Sequence, residues 1–358
     1  MNLAKQASAA FLSLFLFLTL GVTPSLAATL LTPFTSGGTN SEPDCAVLNP
    51  ASTRLFVANW NAAEVKKLEV DNWTNVLHTT PVDAEPTGCS EDPSSWLSSN
   101  GVTYISNDAG KSLSIIDSSS GGLQQTVNFP DSGGQHGFAG DNDMVSYDVG
   151  TTHAHRIFVP LYKQNRVAVI NNNNYPAAPT IMTYVTVGNS PLGVAVNPNN
   201  HHIYVANRDD NTISVINGLT NTVVNTLTTG NVPRGLVVDI PNNRLYVTNT
   251  TDNSVWVYDT TTETRVQIGG VNVSIPVGTD PRRVAVNTNS GHHHVYVSNY
   301  GSDSVSIIDP DNSYTVIQTI GLPTGSGPRG MEVNLTNNHV YVTNSGSGFN
   351  TVSEIDDN

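Results

Sequence analysis

The sequence predicts an all-β fold, a seven-bladed β-propeller built from four-stranded antiparallel blades. The first observation is a repeated phrase. An aromatic-Val-small-Asn tetrad recurs at Phe56-Val57-Ala58-Asn59, Tyr104-Ile105-Ser106-Asn107, Tyr204-Val205-Ala206-Asn207, Tyr246-Val247-Thr248-Asn249, Tyr296-Val297-Ser298-Asn299 and Tyr341-Val342-Thr343-Asn344, with Phe158-Val159-Pro160-Leu161 as a degraded third copy. The second is the period: a Pro-x-Gly-like corner precedes each tetrad, and successive corners stand 42 to 56 residues apart, the length of one supersecondary unit repeated around a ring. The third is composition. Charged residues are only 12% of the 358 residues, about half the usual share, which suits short strands joined by Gly, Asn, Thr and Ser turns.

From the N-terminus, Lys5 is followed by an apolar run from Ala9 to Val22 and then by Pro24-Ser25-Leu26-Ala27-Ala28. Small residues at the −3 and −1 positions make this a secretory leader over residues 1–27, because the apolar core is short for a membrane span and Pro24 interrupts it. The propeller is expected over residues 28–358, in a secreted or periplasmic protein with no membrane span. Formal net charge is −14, which opposes nucleic acid or anionic lipid as a nonspecific partner.

The corners are Pro43-Asp44-Cys45, Pro86-Thr87-Gly88, Gln135-His136-Gly137, Pro191-Leu192-Gly193, Pro233-Arg234-Gly235, Pro281-Arg282-Arg283 and Pro328-Arg329-Gly330. A short inner strand follows each corner, as in Val194-Ala195-Val196-Asn197, then a turn and the tetrad strand. Thr212-Ile213-Ser214-Val215-Ile216 and Thr222-Val223-Val224-Asn225-Thr226-Leu227 exemplify the third and fourth strands, with period-two alternation between turn signals. The seventh repeat runs out after three strands. Thr29-Leu30-Leu31-Thr32-Pro33-Phe34 is spare, so the N-terminal segment is expected to complete the last blade and cover its open edge, with Pro33 at an edge position. The segment from Gly133 to Thr152 reads as an insertion in the third blade, and Asp141 and Asp143 within it are weak candidates for calcium.

The tetrads and corners resemble the YVTN type of β-propeller repeat over nearly all of the chain after the leader, most closely in blades four to seven. That resemblance implies a seven-bladed ring, found in exported or surface proteins. It implies no single activity.

The corner before the inner strand and the loop after the tetrad open on one face, around the central channel. At the second corner position stand Asp44, Thr87, His136, Leu192, Arg234, Arg282 and Arg329; after the tetrads stand Trp60, Asp108, Tyr162, Arg208, Thr250, Tyr300 and Ser345. Guanidinium forks suit carboxylate or phosphate, and aromatic faces suit sugars. The expected ligand-binding set is therefore Asp44, Trp60, His136, Tyr162, Arg208, Arg234, Arg282, Tyr300 and Arg329. The alternative for the arginines is ordinary pairing across blades. Cys45 and Cys89 lie near the starts of neighbouring inner strands, and either a disulfide or two buried thiols fits.

His202, His294 and His339 fall just before the tetrad strand, where other blades carry Arg54, Arg156 and Arg244, on the face away from the mouth. Haem-attachment, nucleophile-elbow and phosphate-loop motifs are absent from the sequence. The leading expectation is a non-catalytic protein, without a cofactor, that binds a partner protein or a small anionic or carbohydrate ligand at the channel mouth. The rival is a lactonase-like hydrolase or lyase with a divalent cation on the axis, drawing on Glu42, Asp44, Glu85, His136 and Glu332.

Overall fold

Seven antiparallel sheets form the ring. The computed structural model describes residues 28–31, 33–36, 42–70, 72–92, 101–129, 145–149, 154–172 and 178–358. Each blade runs from an inner strand through the tetrad strand to the rim. The fourth shows the pattern, with Pro191–Asn197, His202–Asn207, Thr212–Asn217 and Thr222–Thr228 in spatial order. The proline of the corner is the first residue of the inner strand in six blades: Pro43, Pro86, Pro191, Pro233, Pro281 and Pro328. A proline there sacrifices no ladder hydrogen bond that a mid-strand residue would need.

The tetrad strand is central to its sheet and buried on both faces. Tyr104, Tyr204, Tyr246, Tyr296 and Tyr341 are fully buried, as are Phe56 and Phe158. Their rings pack between blades rather than within them. Tyr204, Ile213 and Val215 of the fourth blade meet Leu236, Val238, Leu245 and Val247 of the fifth, and comparable clusters join each of the other adjacent pairs, including the seventh and the first. Each fully buried large apolar side chain contributes about 1.5–3 kcal/mol, so the ring is held by its seven interfaces.

The last blade is closed from the N-terminus, in two pieces. Thr29 pairs with Asp356 and Leu30 with Ile355, then Phe34 pairs with Val352 and Thr35 with Thr351. Pro33 falls in the break between the two pieces. Residues 1–27, expected from the sequence to be a leader, lie outside the described residues. Among the described residues no helix is long and apolar enough to cross a membrane.

The third blade corrects the sequence reading. Its inner strand is Val145–Val149, paired with Ala154–Phe158, so part of the apparent insertion supplies the blade's own first strand. The alternation of Val145-Ser146-Tyr147-Asp148-Val149 carries that strand, but no corner proline marks its start. A second departure is in the fifth blade, where the rim strand is split into Thr264–Arg265 and Ser274–Pro276 around a small hairpin of Gln267–Ile268 and Val271–Asn272.

Cys45 and Cys89 are bonded to each other across the first and second inner strands, with 5.9 Å between their Cα atoms. That separation is within the usual disulfide range, so neighbouring inner strands do approach closely enough near the axis.

Candidate functional site: the channel mouth

One backbone hydrogen bond recurs around the mouth. In six blades the residue after the tetrad donates its N–H to the carbonyl of the residue before the corner proline: Trp60 to Glu42, Asp108 to Glu85, Arg208 to Ser190, Thr250 to Val232, Tyr300 to Asp280 and Ser345 to Gly327, at 2.7–3.1 Å. The accepting residue adopts a left-handed conformation in all six, with φ of 44° at Glu42, 59° at Glu85 and 59° at Val232. For a β-branched residue such as Val232 this is a strained conformation. The bond ties together the two rings of positions from which ligand contacts are expected.

The third residue of the tetrad locks the corners of adjacent blades. Thr343 Oγ1 accepts from the Gly330 N–H at 2.8 Å and donates to the Asp44 carbonyl at 3.2 Å. Thr248 does the same between Gly235 and Arg282, and Ser298 between Arg283 and Arg329. The corner glycine follows from this closeness. A Cβ on Gly193 would lie 1.9 Å from the Arg234 carbonyl oxygen, and one on Gly330 would lie 2.6 Å from that of Asp44.

Side chains from three blades meet at one point of the mouth. Glu42, Asp44 and Trp60 of the first blade, Asp108 of the second, and Arg329 and Ser345 of the seventh line a pocket of about 190 Å³. Arg329 Nη1 donates to Asp44 Oδ1 at 2.7 Å. Ser345 donates to the Pro43 carbonyl, as Thr250 does to the Pro281 carbonyl. By formal charge the lining carries three carboxylates and one guanidinium.

The other expected residues are distributed around the same face. Arg282 stacks on the Tyr300 ring, 3.5 Å from its centroid, and pairs with Asp280 at 3.1 Å. Arg329 approaches the same ring, 5.5 Å from its centroid, so two guanidinium groups share one aromatic ring. Arg208 Nη1 donates to the Tyr162 hydroxyl at 2.7 Å. Arg234 presents its backbone carbonyl to Gly193 and does not line the 190 Å³ pocket. His136 lies outside the described residues. Sequence reasoning counts Asp108 and Ser345 only as ring members and Glu42 only as a possible catalytic group; their common position beside corner or tetrad was the available signal.

His202, His293, His294 and His339, away from the mouth, are paired with carboxylates. His202 contacts Glu263 at 2.7 Å, His294 contacts Asp357 at 2.9 Å and His339 contacts Glu354 at 2.7 Å. His293 sits between Asp239 and Asp311, 2.9 Å from each. Burial alone would lower its pKa, but hydrogen bonds to Asp311 and Asp239 outweigh that and hold it above the usual value. Among the described residues no group of three or more His, Cys, Asp or Glu side chains is arranged to hold a metal ion. Larger grooves of about 420 and 710 Å³ lie on the rim between outer strands, where fewer charged side chains converge.

Residues 154–280, spanning most of blades three to five, match the family described as lactonase, 7-bladed beta-propeller. No curated protein matches the chain. Solved structures that share the fold include a streptogramin B lyase, 14% identical with a TM-score of 0.70, over 92% of this chain and 97% of that one. A catalytically inactive virginiamycin B lyase from Staphylococcus aureus with quinupristin is 11% identical with a TM-score of 0.69, over 92% and 99%. Hydrazine synthase of Kuenenia stuttgartiensis is 14% identical with a TM-score of 0.67, over 86% and 93%. Likeness at these identities is likeness of fold.

Proposed function

We propose that this protein is an exported binding propeller whose mouth pocket takes a small polyhydroxylated, carbohydrate-like ligand without covalent chemistry. The observation that carries the reading is the convergence of Trp60 with Glu42, Asp44, Asp108 and Arg329 on one concave site. An aromatic face flanked by carboxylates and a guanidinium offers stacking plus several acceptors and donors for hydroxyl groups. An anionic ligand is less well served. Arg329 is engaged by Asp44 and Arg282 by Asp280, and the pocket's formal charge is negative. Export rests on the leader.

The test is equilibrium titration of the purified protein with a panel of neutral mono- and disaccharides and a matched panel of sugar acids and sugar phosphates. A neutral sugar is expected to bind, and Trp60→Ala to weaken it at least tenfold without changing the melting temperature by more than a few degrees. Binding of the anionic panel alone, or sugar binding untouched by Trp60→Ala, refutes the reading.

A second reading has its own support in the family match over residues 154–280: a hydrolase that opens lactones at the same mouth. Lactone hydrolysis by the purified protein that is lost in Asp44→Asn, while a sugar panel shows no binding, would favour it over the first.

A further inference from the structure

We propose that the seam between the fourth and fifth blades, on the face away from the mouth, is a second binding site, which takes a small neutral polyol such as a monosaccharide or an inositol. A cleft of about 400 Å³ opens there, within the size range of small-ligand pockets. Its lining includes Asn197, Asn199 and His202 of the fourth blade and Asn243, Thr261 and Glu263 of the fifth. It shares no lining residue with the mouth pocket, and the proposal does not depend on what the mouth binds. Every residue from Pro191 to Asp280 is described, so both walls of the cleft are complete.

The next two seams show what this one lacks. Three repeat positions meet at the equivalent place: the last residue of one inner strand, the residue preceding the next blade's second strand, and the second residue after that blade's third strand. Between blades five and six these are Asp239, His293 and Asp311, and His293 bridges the two carboxylates, 2.9 Å from each. Between blades six and seven they are Asn287, Asn338 and Asn358. Asn287 Nδ2 donates to Asn338 Oδ1 at 3.1 Å, and Asn338 Nδ2 donates to Asn358 Oδ1 at 3.0 Å. Between blades four and five they are Asn197, Asn243 and Thr261, and here the bridge is not made. Asn197 Nδ2 donates instead to the Thr260 hydroxyl at 2.9 Å. Asn243 and Thr261 form hydrogen bonds only through their backbones, as does Asn199.

Hydrogen-bonding capacity then selects the ligand. His202 and Glu263 are the only ionisable residues of the lining, and they are engaged with each other, Nδ1 to Oε1 at 2.7 Å. Asn225 donates to the second oxygen of Glu263, so neither an anion nor a cation meets an unengaged counter-charge. What remains is neutral: the carboxamides of Asn199 and Asn243, the Thr261 hydroxyl and Nε2 of His202. A carboxamide offers donors and an acceptor side by side, and each hydroxyl of a polyol both donates and accepts. Hydroxyl groups on adjacent carbons therefore match several of these side chains together. Such a ligand supplies across this seam the bridge that His293 and Asn338 supply across the next two.

The experiment follows the side-chain amide signals of Asn199 and Asn243 by NMR while myo-inositol or glucose is added to the full chain, with gluconate and acetamide as controls. Because the signals belong to the seam, they report on it whether or not the mouth also binds sugar. Inositol or glucose is expected to shift both signals saturably. Asn243→Gly keeps the left-handed backbone of that position, where φ is 53°, and should weaken binding about tenfold with little change in melting. Thr261→Asn gives the seam the same three residue types as the one between blades six and seven. It should let Asn243 form the missing bridge, weaken binding about tenfold and leave melting unchanged or higher; if Asn243→Gly does not fold, this variant decides. No saturable shift with either polyol, tighter binding of gluconate or acetamide than of both polyols, or an undiminished affinity in folded Asn243→Gly or Thr261→Asn overturns the proposal.

Discussion

Arg329 of the seventh blade donates to Asp44 of the first at 2.7 Å, joining residues 285 positions apart. The N-terminal strands close the ring at its rim, and this pair closes it at the mouth. Asp44 is almost wholly enclosed, with its side chain 1% exposed, while that of Arg329 is 25% exposed.

Loss of the Arg329 side chain leaves a buried carboxylate without its guanidinium. Removing one partner of a fully buried pair costs about 3–5 kcal/mol, and partial exposure of Arg329 reduces the expectation for Arg329→Met to about 1–3 kcal/mol. Denaturant unfolding measures it. The double variant with Asp44→Asn should cost less than the sum of the singles, and strict additivity would show that the pair does not act as a unit.

Thr343→Val should destabilise by about 1–3 kcal/mol, because it strands both the Gly330 N–H and the Asp44 carbonyl at an interface between blades. Thr248→Val should behave alike, through Gly235 and Arg282. A cost no larger than that of Thr→Val at an exposed turn would contradict the bridging role.

Gly193→Ala should cost about 3 kcal/mol or more, since the new methyl group would meet a backbone oxygen that cannot rotate away. Gly321→Ala is the control. A Cβ there has no neighbour within 4 Å, and the expected change is within about 0.5 kcal/mol. Similar melting of the two variants would sink the argument that close approach dictates the corner glycine.

His293 should make stability depend on pH. Its folded pKa lies above the reference of 6.5, so its stabilising contribution is complete below that reference and is lost as pH rises through the folded value. The melting difference between wild type and His293→Gln is expected to be largest near pH 5 and to shrink above neutrality. A difference that grows with pH would reverse the assignment.

Glu332 acts with the same sign for a different reason. Its carboxyl titrates near 8 in the folded protein against a reference of 4.5, so between those values the folded state holds a proton that the unfolded chain has released. Stability therefore falls as pH rises from about 4.5 to about 8 and then levels. Glu332→Gln should remove this slope and melt higher than wild type above pH 8; a lower melting temperature there would show that the charged form is welcome.

Much of the architecture is legible in the residues because the period-two alternation, the corner prolines and the tetrads are local signals. The spare strand at Thr29–Leu30 could be anticipated from the missing strand of the last repeat. The third blade resisted because Val145–Val149 carries no corner proline, and nothing local distinguishes it from an insertion. At the mouth, Asp44, Trp60 and Arg329 were recognisable from repeat position. That Arg329 turns to Asp44, while Arg282 lies on Tyr300, was not.

By itself the sequence determined the number of blades and, in six of them, where the inner strand begins, since each is fixed by short-range patterning that recurs every 42 to 56 residues. Only the tertiary structure decided which charges neutralise one another and that Cys45 meets Cys89. Those outcomes depend on how closely neighbouring inner strands converge near the axis, a distance set by packing between blades and written in no single repeat.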